Sequence, residues 1–64
     1  VKNFIRSKRK ILGISQTELS LKAGISRTAL VAIEKGLTKP KGETMLKLAR
    51  VLNCNVESLF IQDK

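Results

Sequence analysis

Two serines, Ser15 and Ser26, stand eleven residues apart with Gly24 between them, and each opens a short run with helical spacing. Ser15 is followed three residues later by Glu18, the pattern in which each side chain satisfies a free amide at a helix start. Leu19 and Ala23 then recur on the face expected to turn inward. Gly24 can take the positive φ of a tight turn after a helix, and Ile25 is placed to plug the junction. Ser26 caps the next helix, where Ala29, Leu30 and Ile33 fall within one arc at roughly 100° per residue and Gly36 supplies the stop. The centre of the chain is thus constrained to two short helices joined by a sharp turn.

Periodicity predicts three more helices, making an all-α, compact five-helix bundle. The first covers about residues 2–12, with Val1, Ile5, Arg9 and Leu12 on one stripe and Gly13 as a left-handed stop. Arg9 is the one charged member of that stripe. Residues 37–42, with Lys39, Pro40 and Lys41, read as a basic loop before a fourth helix that lines up Met45, Leu48, Ala49 and Leu52. The pattern breaks at Asn53 or Cys54, and Asn55 can cap a last short helix over residues 56–61, with Leu59 and Phe60 closing the core. With no linker, low-complexity tract or repeat, residues 1–64 are expected to form a single domain near the lower limit of size for folding without a disulfide, metal or partner.

Thirteen Lys and Arg against five acidic residues give a net charge of +8, which calls for an anionic partner. Only Phe4 and Phe60 are aromatic, too few for a base-stacking platform, so duplex DNA is favoured over single strands. No apolar run approaches the roughly 18 residues of a membrane span, and no signal-peptide core is visible. The lone Cys54 has no partner within the chain, and without His the usual zinc-site partners are missing. No metal, cofactor or membrane is therefore expected, and a reducing, cytoplasmic setting fits. An enzyme is disfavoured because no paired acids in a plausible pocket, phosphate loop or metal spacing is present.

The outward side of the second central helix carries Arg27, Thr28, Val31, Ala32 and Lys35. Arg27 in the first turn suits two hydrogen bonds to guanine O6 and N7, Thr28 a base or phosphate, and Val31 and Ala32 a thymine methyl group. Each has a plainer reading, as a phosphate contact, helix-start filler or scattered surface residue. Lys35, Lys39 and Lys41 flank the helix exit as candidate phosphate ligands. Lys2, Arg6, Lys8 and Lys10 make helix one basic, and such a run is ordinarily a solvated face, although some can reach the sugar-phosphate backbone. Cys54 reads as a packing residue.

Gln16 after the capping Ser15, the Gly24-Ile25-Ser26 turn, the Ile33-Glu34-Lys35-Gly36 exit and the Leu48-Ala49-x-x-Leu52 helix together resemble the phage repressor/Cro helix-turn-helix family. The resemblance spans about residues 3–61. It implies a third helix that enters the major groove, homodimers on two-fold symmetric operators, and residence in the cytoplasm, at the nucleoid, of a bacterial or phage-encoded regulator. It also implies that Gln16 touches the DNA backbone and braces the third helix, with Ser15 and Ser26 near phosphates, and that Arg9 and Glu34 form an ion pair. The dimer is implied at the corner of helices four and five, where Asn55, Ser58 and Ile61 stand. Ser20 and Gly42 depart from the family's small and apolar residues without disturbing the fold, and Leu21 is an apolar residue at an outward position.

The expected function is a sequence-specific duplex DNA-binding transcriptional regulator, a repressor in particular. A protein-interaction module, antitoxin-like or a control subunit, is the rival.

Overall fold

The computed structural model describes residues 3–60, in which five helices follow one another: α1 (Ile5–Leu12), α2 (Gln16–Ala23), α3 (Arg27–Glu34), α4 (Gly42–Val51) and α5 (Val56–Leu59). Local chemistry accounts for the two central helices. Ser15 Oγ accepts the Glu18 N–H at 3.0 Å and Ser26 Oγ accepts the Ala29 N–H at 3.0 Å, so each helix start has one of its free amides satisfied by a hydroxyl. Gly24 sits at φ 70°, where a side chain would be strained, and the Ile25 N–H returns to the Ser20 carbonyl at 3.0 Å. Ile25 itself is half-buried against the core.

α2 packs on both α3 and α4, and α4 packs on α5. The core between them is apolar: Ile5, Leu19, Leu30, Leu48 and Leu59 are fully buried, with Ala23, Ile33, Ala49, Leu52 and Phe60 closing around them. The partly buried Met45 and Cys54 pack against this cluster. At about 1.5 to 3 kcal/mol for each large apolar side chain removed from water, these contacts hold together helices far too short to persist alone.

Five boundaries or contacts differ from the sequence reading. α1 begins at Ile5 and not near residue 2, because the segment before it is extended: the Phe4 N–H donates to the Leu59 carbonyl at 2.8 Å, and Asn3 bridges antiparallel to Phe60. Val1 and Lys2 lie outside the described residues. Leu12 is 49% exposed and leaves the inward stripe, since the left-handed turn at Gly13 carries Ile14 into that place instead. Only the Ser15 half of the expected reciprocal cap forms, because the Glu18 carboxylate turns to Lys22 at 3.2 Å. Asn55 heads α5 without a side-chain cap; its carbonyl accepts the Ser58 and Leu59 amides of this single-turn helix. Gly42, read as loop, is the first residue of α4.

Candidate nucleic-acid interface

α3 divides its side chains sharply between core and solvent. Leu30 and Ile33 are buried, whereas Arg27, Thr28 and Lys35 at its start and end are exposed. Val31 and Ala32, expected to face water, are half-buried. Gly36, at φ 74°, reverses the chain so that the Leu37 N–H reaches the Ala32 carbonyl at 3.0 Å, and Val31 forms part of a groove wall.

That open groove, about 490 Å³, runs between α3, the start of α2 and one side of α1. Arg27, Val31, Glu34 and Lys35 line it from α3, Ser15, Gln16 and Thr17 from the head of α2, and Arg6 and Arg9 from α1. The carboxylate of Glu34 is the common acceptor within it. Arg9 Nε donates to Glu34 Oε2 at 3.1 Å and Arg9 Nη2 to Oε1 at 3.3 Å, while Gln16 Nε2 donates to the same Oε1 at 3.2 Å. Arg9 Nη1 also reaches the Ile14 carbonyl at 3.2 Å. The Arg9 and Glu34 side chains are only 13% and 6% exposed, so the pair is largely withdrawn from water and each charge depends on the other.

With Glu34 neutralised in this way, the groove's outward charge is positive. Among the described residues, Glu18 pairs with Lys22 and Glu43 with Lys47, both one turn apart on exposed helix faces, and no carboxylate pairs with Arg6, Arg27, Lys35, Lys39 or Lys41. The capping hydroxyls of Ser15 and Ser26 accept from backbone amides and retain their own O–H for donation. Such an arrangement of guanidinium, ammonium, amide and hydroxyl donors can hold an anionic, acceptor-rich backbone.

The structure thus brings together Arg9, Ser15, Gln16, Arg27, Val31, Glu34 and Lys35. Thr28 and Ala32 occupy the adjoining stripe of α3, outside the groove lining, and Ser26 lies just ahead of them. Lys39 and Lys41 are exposed in the connection to α4, likewise away from the groove. Asn55 and Ser58 are exposed at α5, and Ile61 lies outside the described residues. Thr17 was missed by sequence reasoning, although its place next to Gln16 in the first turn of α2 was a usable signal. The sequence places Arg6 on a solvated basic face, yet it lies one turn before Arg9 and shares the groove. No cluster of three or more potential metal-ligating side chains occurs among the described residues, and no described helix is long and apolar enough to cross a membrane.

The sequence pattern of the helix-turn-helix family matches residues 5–59. An uncharacterised HTH-type transcriptional regulator of Archaeoglobus fulgidus is 42% identical over 59 residues, covering 92% of this chain and 84% of the relative. The DNA-binding domain of the P22 C2 repressor, solved in solution, is similar at a TM-score of 0.79 and 38% identity, over 83% of this chain and 70% of that one. The restriction-modification controller protein C.AhdI from Aeromonas hydrophila is similar at a TM-score of 0.82 and 30% identity, over 88% and 85%.

Proposed function

The chain belongs to the helix-turn-helix family of DNA-binding transcriptional regulators of the Cro/C1 repressor type, and we propose that it acts as a repressor, gripping an inverted-repeat operator as a homodimer. The family is one of DNA-binding regulators and not of enzymes. In this reading residues 1–64 act as one DNA-binding domain in the cytoplasm, α3 enters the major groove, and Arg27, Thr28, Val31 and Ala32 address base edges. Ser15, Gln16, Ser26, Lys35, Lys39 and Lys41 hold phosphates and set register. Half-sites about one DNA turn, roughly 34 Å, apart match two such helices, with Asn55, Ser58 and Ile61 at the subunit contact.

One observation carries the reading: Arg27 and Thr28 are exposed on the helix whose opposite face, Leu30 and Ile33, is buried, and Arg6, Arg27 and Lys35 have no carboxylate partner among the described residues. Selection of bound sites from random duplex DNA tests it. Recovery of an inverted repeat supports the operator and the dimer, and recovery of no preferred sequence refutes both. A protein-interaction role rests on Leu21, 76% exposed on α2. A salt titration separates the two readings, because operator binding falls steeply with salt while keeping its sequence preference.

A further inference from the structure

The last turn of α3 is held at a second point, away from Glu34. Asn3 Nδ2 donates to the Ile33 carbonyl at 2.7 Å, across 30 residues of sequence. That carbonyl lies where the helical ladder runs out, and it also accepts the Gly36 N–H at 3.0 Å in the turn that ends the helix. The other end of the same amide, Oδ1, accepts the Ile5 N–H at 3.2 Å in the first turn of α1, whose N-cap residue Phe4 contributes no side-chain bond. The backbone around Asn3 is itself tied down, by the bridge to Phe60 and by the Phe4 bond to the Leu59 carbonyl.

We infer that Asn3 is a positioning residue for DNA reading: its amide fixes the C-terminal turn of α3 to the start of α1 and the end of α5, and so sets the angle at which Arg27 and Thr28 are presented. The inference rests on α3 being the element that reads DNA. Arg9 and Gln16 hold the Glu34 side chain, which can swivel about its own torsions, whereas a bond to the Ile33 carbonyl acts on the helix backbone directly. Two anchors in one turn, one on the backbone at Ile33 and one on the side chain of Glu34, restrain rotation of the helix as well as its distance from the core. Base-edge hydrogen bonds weaken steeply with misalignment, so a small rotation lowers sequence preference more than it lowers phosphate binding.

The test is Asn3→Asp, which keeps an oxygen for the Ile5 N–H, removes the donor to the Ile33 carbonyl and sets a carboxylate beside it. Affinities are measured for a duplex selected by the unaltered protein and for a scrambled duplex of equal length, at a temperature where circular dichroism shows the variants folded. Because the added negative charge weakens binding to both duplexes, the quantity read is the ratio of the two affinities. We expect that ratio to fall about tenfold, the scale of one impaired base contact. Val51→Ala, a change in a partly buried residue of α4, serves as a control that loses stability and keeps the ratio. If Asn3→Asp does not fold, Asn3→Ser, too short to span to Ile33, is read in the same way. An unchanged ratio overturns the positioning role, however far stability or overall affinity drops. Absence of any preference in the unaltered protein would instead refute the proposed function itself.

Discussion

Gln16 and Arg9 converge on a single oxygen of Glu34, at 3.2 and 3.3 Å, so one carboxylate joins α1, α2 and α3. Two charges this far out of water gain little net stability as a pair, because desolvation offsets their attraction, but either one alone is costly. Arg9→Ala and Glu34→Ala should each lose about 3 kcal/mol in urea unfolding, a large part of what a domain of this size possesses. The double variant should lose clearly less than the sum. Additive losses would show that the two groups are already solvated and independent.

Arg27 is exposed in the first turn of α3, with no carboxylate partner among the described residues. Arg27→Ala should relax preference at one guanine of the selected site, at about 1 to 3 kcal/mol of discrimination, while the protein stays folded. Repeating the site selection with the variant checks this. An identical recovered sequence would demote Arg27 to a phosphate ligand.

Lys39 and Lys41 lie outside the groove in the connection to α4, and both are exposed. As phosphate ligands, each replaced by Ala should lower the slope of log affinity against log salt by about one unit and weaken binding to all duplexes alike. A titration from low to moderate salt reads the slope. If neither substitution moves it, these lysines are merely solvated.

Gly24→Ala isolates the backbone requirement of the turn between α2 and α3. A Cβ there meets nothing within 4 Å, so crowding plays no part, but φ at +70° disfavours any L side chain. The expected loss is about 1 to 2 kcal/mol by thermal or urea unfolding, and Gly24→Asn should lose less because Asn tolerates this region better. A loss well above that range would point to movement of α3 instead of local strain.

Much of the fold was legible because its signals act over one helical turn. Ser15 and Ser26 bond to amides three residues away, and Gly24 and Gly36 terminate helices through their own φ. Less of the candidate site could be read, since helical spacing places Arg27, Val31 and Lys35 on one stripe of α3 without saying that Arg6 and Thr17 share their groove. Asn3 gave no signal at all: a lone polar residue at the head of the first helical pattern has no periodicity to reveal a bond to Ile33.

Alone, the amino-acid order determined a cationic excess and five helices with their apolar faces, the helices set by neighbours within about four positions. Chain closure decided the rest: where α1 begins, that Gln16 joins Arg9 on one oxygen of Glu34, that Val31 and Ala32 are half-covered, and that the groove exists. These depend on atoms separated by 18, 25 or 30 residues, whose meeting is fixed only when the buried leucines bring the helices together.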